Sequence, residues 1–156
     1  ERDFGQLDFP IIWKQENSLN LRSDNMTKKS ASDEIMHRLN PNALKGRDSS
    51  NAVYIEDVWD CEEDARMYRI EYVSTLDGKR AIAFCRSNPW NRSDVNCGYS
   101  FSTGHVDKDG FICIGNSNYD RNVSQSKINL ETTVERARFW CLAFSVLKET
   151  GSFPQP

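Results

Sequence analysis

A long apolar-rich segment near the carboxyl end constrains the fold of this chain more than any other feature. Residues 129–148 read NLETTVERARFWCLAFSVLK, in which Asn129 is suited to cap a helix and Glu131 is favourable in its first turn. Apolar and small residues recur at helical spacing over most of the segment. The pattern predicts a largely buried helix that ends at Gly151. The rest of the chain must therefore supply a surface broad enough to cover this helix.

The middle of the chain predicts that surface as an antiparallel sheet. Apolar and β-branched residues favour strands at four places, namely 52–59, 67–74, 80–86 and 99–102. Asp77 and Gly78 separate the second and third of these strands, and Asp-Gly favours a tight hairpin turn because both residues tolerate the required backbone angles.

A shorter helix is predicted before the sheet. Residues 30–39 carry Ser30 or Ser32 as a cap, and Pro41 prevents continuation. The polar residues that follow, 42–51, predict a loop. The resulting fold class is α+β, with a four-stranded antiparallel meander flanked by an amino-terminal helix and a long carboxy-terminal helix. Residues 29–156 are expected to form one domain, and the polar, aperiodic residues 1–28 an amino-terminal arm.

Composition excludes several functions and favours a compartment. The net charge is −3 with no basic block, which argues against a nucleic-acid partner. No apolar run approaches the roughly 18 residues that span a membrane, and no signal-peptide pattern opens the sequence. The five cysteines are odd in number and contain no Cys-x-x-Cys pair, so free thiols in a reducing cytosol are expected rather than a disulfide framework. The expected location is cytoplasmic.

The cysteines differ in their surroundings. Cys85 lies in a predicted strand and Cys141 in the long helix, where cysteine packs as a small hydrophobe. Cys61 and Cys97 are predicted to lie in polar loops. Cys113 follows an Asp-Gly turn in the segment GHVDKDGFICI, a context in which nearby backbone amides can lower the pKa of a thiol and bind an oxyanion. These residues alone still favour a packing role for Cys113.

His105 lies eight residues before Cys113 and is a candidate general base, as in Cys-His hydrolases. No third residue that would orient the base can be chosen from the sequence. A zinc site from Cys97, His105 and Cys113 would lack a fourth ligand and the usual short spacing.

The segment HVDKDGFICIG resembles the active-site segment of ubiquitin-conjugating enzymes (the UBC-like superfamily). Gly110, Ile112, Cys113 and Ile114 match the family's pattern of Gly, any residue, Ile or Val, Cys, Leu. The predicted order of elements over residues 30–153 also matches. The family's His-Pro-Asn triplet is absent, and His105 stands where its asparagine is expected.

Divergent bacterial members of the family lack this triplet too, and they often end in a Trp-containing helix followed by Thr-Gly, as does the segment RARFWCLAFSVLKETGSF in this chain. Their genes are found beside those of an activating enzyme, a ubiquitin-like protein and a deconjugating peptidase, often in phage-defence operons.

The resemblance implies a chemistry for the site. Cys113 would carry a ubiquitin-like protein as a thioester, and His105 would donate a hydrogen bond to the oxyanion. Asp120 would orient an incoming lysine, with Asn116, Asn118 and Tyr119 as alternatives. The implied partners are an activating enzyme, the ubiquitin-like protein and a target protein, and no cofactor is required. Two alternatives remain: a catalytically inactive UBC-like binding module, and a Cys-His hydrolase of another fold.

Overall fold

The computed structural model describes residues 29–48, 50–61, 66–115 and 121–154, with the side chains of 47 and 48 not described. The predicted arm at 1–28 lies outside the described residues. The fold is α+β, as the sequence pattern predicted. Its elements, in chain order, are α1 (Ala31–Leu39), β1 (Leu44–Asp48), β2 (Asn51–Cys61), β3 (Arg66–Ser74), β4 (Ala81–Ser87), α2 (Phe101–Gly104), a 3-10 turn (Val123–Gln125) and α3 (Leu130–Thr150).

The four strands form one antiparallel sheet in the order β1-β2-β3-β4. Neighbours in sequence are therefore neighbours in the sheet, which makes it a meander. Thr75, Gly78 and Arg80 form the β3–β4 turn, where Gly78 has a φ of 74° and donates to the Thr75 carbonyl at 2.9 Å. A hairpin connection is thus confirmed at this place, but it runs over residues 75–80 rather than as a tight two-residue turn, and of the Asp77-Gly78 pair only Gly78 has a positive φ.

Two predictions of local structure were wrong. The loop predicted at 42–51 contains β1, whose sequence LKGRD has few strand-favouring residues and is extended because it pairs with β2. The strand predicted at 99–102 is instead replaced by the short helix α2. Ser100 caps this helix by accepting from the Thr103 N–H at 3.2 Å, a local bond that a strand could not provide.

Capping residues set the ends of the two longer helices. Ser30 and Asp33 form a reciprocal capping box at the start of α1. Asn129 accepts from the Thr132 N–H at 2.8 Å at the start of α3. Gly151 closes α3 in the left-handed conformation, with its N–H donated to the Leu147 carbonyl. Both helix predictions are confirmed to within two residues at each end.

Both faces of the sheet are covered. The main core lies between the sheet and the helices α1 and α3, and its largest side chains include Tyr68, Tyr72, Trp140 and Phe144. Tyr68 meets Trp140 edge to face with ring centroids 5.6 Å apart. Side chains of this size contribute about 2–3 kcal/mol each when fully buried. A second cluster on the other face contains Val53, Val73, Ile82, Phe84, Phe111 and Val123.

A buried carboxylate ties the sheet to both helices. Glu56 on β2 accepts from Arg138 of α3 at 2.8 and 2.9 Å and from Tyr72 of β3 at 2.5 Å. It also accepts from Asn40, the residue that ends α1, at 2.8 Å. Burial, together with the charge of Glu56, raises the pKa of Tyr72 well above its usual range. The α3 helix is thus fixed to the sheet by polar as well as apolar contacts.

Part of α3 departs from the expected burial. Phe139, Leu142 and Val146 are exposed, with Phe139 at 43% and Leu142 at 47%. Their spacing of three and four residues puts them on one outer stripe of the helix, opposite the main core. The sequence pattern treated Phe139 and Leu142 as part of the buried surface because an apolar residue gives no signal of which face it will take.

Candidate functional site

The segment that leads to Cys113 lies against the edge strand β4. The Cys85 N–H donates to the Gly110 carbonyl at 2.7 Å, and the Ile112 N–H donates to the Ala83 carbonyl at 3.0 Å. Gly110 has a φ of 93°, and a Cβ at this position would lie 2.2 Å from the Cys85 carbonyl oxygen. Only glycine allows this approach, so Gly110 fixes the path of the chain into the cysteine.

A tight turn precedes this segment. The Asp107 carboxylate accepts from the N–H groups of Asp109 and Phe111 at 2.8 and 3.0 Å, and it also pairs with Arg121. Beyond the turn, Val106 and Ile112 form an antiparallel bridge. The turn and the bridge together set which residues face each other across the segment.

This arrangement brings Cys113 and His105 together. The Cys113 N–H donates to the His105 carbonyl at 2.9 Å. Both side chains are half-buried, and both line one groove of about 470 Å³. The remaining residues of the groove, which we call the Cys113 groove, are Ile114, Arg136, Phe139, Trp140, Phe153 and Pro154. Cys113 therefore has a partly exposed side chain, and it lies in a groove whose walls include aromatic side chains.

The His105 ring is directed by an aromatic contact. Its centroid lies 4.3 Å from that of Phe153, with the two planes tilted by 48°. Among the described residues, no hydrogen bond joins the ring to the Cys113 thiol. The backbone of His105 has a φ of 59° and ends α2 in the left-handed conformation, which histidine and asparagine adopt more readily than most residues.

The α3 helix holds both halves of the site. Trp140 donates from its indole N–H to the Gly104 carbonyl at 2.8 Å, directly before His105. Arg136 donates to the Ile114 carbonyl at 2.8 Å, directly after Cys113. Gly104, which precedes His105, and Ile114, which follows Cys113, are thus both anchored to α3, and this shared anchor preorganises the site.

The other cysteines have different surroundings. Cys85 and Cys141 are buried in the main core, as the sequence pattern predicted. Burial raises the pKa of the Cys85 thiol to about 12 and that of Cys141 well above its usual range. Cys97 is partly buried with a raised pKa, also through burial. The sequence pattern predicted a loop at Cys61, but Cys61 is the last residue of strand β2.

The described residues contain no group of three His, Cys, Asp or Glu side chains that could hold a metal ion, so the zinc reading of Cys97, His105 and Cys113 has no support there. In a Cys-His hydrolase the nucleophile and the base lie within hydrogen-bond reach of each other. Among the described residues no hydrogen bond joins the His105 ring to the Cys113 thiol, so this alternative gains no support there.

Some predicted site residues lie outside the described part of the chain. These are Asp120 and its alternatives Asn116, Asn118 and Tyr119. Sequence reasoning also missed the groove residues Arg136, Trp140 and Phe153. The place of Gly151 as a helix stop was a usable signal for Phe153, because a left-handed cap turns the following residues back along the helix.

Comparisons with protein-family models, with curated proteins and with solved structures found no match. No helix among the described residues has both the length and the apolar character needed to cross a membrane.

Proposed function

We propose that this protein is a conjugating enzyme of UBC-like fold that carries a ubiquitin-like protein as a thioester on Cys113 and transfers it to an amine on a target protein. The observation that carries the proposal is the setting of Cys113. Its backbone N–H is held by the hydrogen bond to the His105 carbonyl, while its partly exposed side chain lines a groove with aromatic walls. Support also comes from a four-stranded meander between a helix and a long carboxy-terminal helix, the order that the resemblance implies.

The reaction takes place in two balanced steps. In the first, the Cys113 sulfur attacks the activated carboxyl-terminal carbonyl of the modifier, and a sulfur–carbon bond forms. The bond between that carbonyl carbon and the activating enzyme breaks, and the group released on the activating enzyme takes the thiol proton. In the second, a lysine amine attacks the thioester carbonyl, the amide forms, and the Cys113 thiol leaves with a proton. ATP is consumed upstream, and this chain requires no cofactor.

The roles of the neighbouring residues are part of the proposal. His105 donates a hydrogen bond to the tetrahedral oxyanion, and Asp120 orients the incoming lysine. Arg136 and Trp140 are positioning residues, because they fix the backbone directly after Cys113 and directly before His105. Because the thioester needs a reduced cysteine, we expect the protein to work in the cytoplasm, and a phage-defence operon of the bacterial kind is its expected setting.

One observation favours a second candidate, a catalytically inactive binding module of the same fold. The His105 ring contacts the Phe153 ring and forms no hydrogen bond to the thiol among the described residues. In such a module Cys113 would serve packing, and the modifier would bind without a covalent bond.

The test uses the proposed partners, a cognate activating enzyme and its ubiquitin-like protein, with ATP and non-reducing gels. If the protein is a conjugating enzyme, an adduct should form that a thiol reductant removes, and this reducible adduct should be absent in Cys113→Ser. Cys61→Ser is the matched control, because Cys61 is also half-buried but lies at the end of β2, and it should keep the adduct. No adduct on wild-type protein, with the activating enzyme shown to be charged, would refute the enzyme reading. Unchanged modifier binding by Cys113→Ser in that case would establish the binding module.

A further inference from the structure

The geometry points to a regulatory device that rests on the proposed function of this site: the segment Gly151–Pro154 is a lid at the Cys113 thiol, and it must move aside before a polypeptide acyl donor can react. The segment lies directly after α3. Phe153 and Pro154 line the Cys113 groove, so the carboxy-terminal part of the described chain lies in the same groove as the thiol about 40 residues upstream.

A glycine turn brings the lid to the groove. Gly151 has a φ of 84°, and its N–H donates to the Leu147 carbonyl at 2.7 Å. This left-handed turn reverses the chain at the end of α3. The Phe153 ring then packs against the main core and contacts the His105 ring at a tilt of 48°, with the ring centroids 4.3 Å apart.

The lid is held weakly. Its hydrogen bonds among the described residues are local to the helix end: Thr150 donates to the Ser152 carbonyl at 3.2 Å and accepts from the Ser152 N–H at 3.3 Å. Phe153 and Pro154 are half-buried and form no hydrogen bond with the described part of the protein. A segment anchored by one aromatic side chain opens without unfolding the core, since local opening costs much less than global unfolding.

The size of the groove makes opening necessary. With the lid in place it measures about 470 Å³, a volume that suits a small molecule. A modifier's tail continues into a folded protein, so it needs more room beside the thiol than the groove has while Phe153 and Pro154 line it. The lid therefore discriminates by size, admitting small thiol reagents more readily than large ones.

Alkylation of Cys113 tests this on the full chain, without activating enzyme or modifier. The rate is measured by peptide mass spectrometry with iodoacetamide and with a bulky biotin-maleimide. Removal of the lid ring in Phe153→Ala should raise the biotin-maleimide rate about tenfold, because it converts a minor open state into the dominant one. The iodoacetamide rate should rise less. The Leu142→Ala control removes an exposed apolar side chain of α3 outside the groove and should change either rate less than about twofold.

Gly151→Ala is a second variant that removes no groove atom. An added Cβ meets nothing within 4 Å, but alanine is strained at this positive φ, so the return turn should loosen and the biotin-maleimide rate should rise about threefold. In each variant, unlabelled Cys85 and Cys141 report an intact core, and Cys61 gives the reference rate. Wild-type rates in both lid variants, or an equal rise in Leu142→Ala, would overturn the lid. A missing thioester adduct would leave these rates unaffected, so the two proposals fail separately.

Discussion

Backbone contacts, rather than a contact between side chains, bring Cys113 and His105 together. The Cys113 N–H donates to the His105 carbonyl, and Gly110 allows the close approach to β4 that leads into this bridge. A substitution of His105 can therefore change the chemistry of the site without moving the thiol, provided that the new residue accepts the left-handed backbone.

This distinction gives a prediction for His105. Asparagine tolerates the left-handed conformation and offers a side-chain donor, so His105→Asn should form the thioester adduct within about threefold of the wild-type rate. His105→Ala lacks the donor and should be about 100-fold slower. Single-turnover rates at saturating modifier measure the difference.

Iodoacetamide alkylation of Cys113 supplies the control, because equal rates in the two variants would show that the backbone of the site is retained. Equal adduct rates in His105→Ala and His105→Asn would remove His105 from the mechanism.

A second prediction at this scale concerns acid stability. Burial opposes ionisation of Asp33, but hydrogen bonds from Lys45 at 2.5 Å and Tyr54 at 2.7 Å outweigh it and lower the pKa of Asp33 below its ordinary 3.8. A lowered pKa in the folded state stabilises the protein above the unfolded value, and this stabilisation is lost as the pH falls below about 4 through the folded pKa.

Asp33→Asn should therefore cost about 1–2 kcal/mol at pH 7 and should flatten the fall in the free energy of unfolding below pH 4. Urea titrations from pH 2 to 7 measure this. Glu34→Gln, an exposed carboxylate in the same helical turn, is the control and should keep the wild-type slope. A slope in Asp33→Asn as steep as that of the wild type would contradict the prediction.

The cysteines show what could be predicted for single residues. Burial of Cys85 and Cys141 followed from local alternation and helical spacing, which depend only on near neighbours. The contact between His105 and Phe153 did not, because the two residues are far apart in sequence and meet only after α3 and its cap have formed.

At the scale of elements, α3 combines support and site. Its inner face packs in the main core, and Arg138 binds Glu56. Arg136 and Trp140 donate to the Ile114 and Gly104 carbonyls, which are next to Cys113 and His105 in the chain. A loss of the Glu56 contact would therefore loosen the attachment of the helix that carries the site.

Arg138→Met should destabilise the protein by about 3 kcal/mol, because it leaves the Glu56 carboxylate buried without its charged partner. Arg69→Met is the control, since Arg69 pairs with Asp57 at 2.9 Å near the surface and should cost less than about 1 kcal/mol. Denaturant unfolding measures both. Similar losses for the two variants would show that burial of Glu56 does not decide the cost.

Element prediction succeeded where a local signal existed. Ser30, Asn129 and Gly151 mark helix ends through bonds to residues three or four positions away, so the sequence carries them directly. Strand β1 carries no such signal, because it is extended by pairing with β2. The stretch 99–102 is apolar enough for a strand, but the cap at Ser100 favours a helical turn. Glycine suits the end of that turn, because a Cβ at Gly104 would lie 3.1 Å from Tyr99 and 3.3 Å from Phe144.

At the scale of the whole molecule, stability should fall from the sheet centre to the lid. Strands β2 and β3 are paired on both sides and carry buried residues over much of their length, whereas the amide of Phe153 has no hydrogen bond with the described residues. Hydrogen exchange should then be slowest in β3, close to the global free energy of unfolding, and at least about 100-fold faster at Ser152 and Phe153. Protection at Phe153 equal to that of β3 would contradict this order.

The topology explains why the site needs the complete fold. The groove joins His105 at the end of α2, the segment at Cys113 and Ile114, helix α3 and the residues that follow it. No single hairpin or helix contains it, so sequence motifs predict the cysteine but not the walls around it.

The two cysteines of the main core also govern how the protein recovers from unfolding. Burial raises the pKa of the Cys85 thiol to about 12, and release into water returns the pKa to its ordinary 9.0, which raises the thiolate fraction at neutral pH. Thiols that are inert in the native state then become competent to form mispaired disulfides. Heating in air should therefore be irreversible, whereas a reducing agent should preserve refolding.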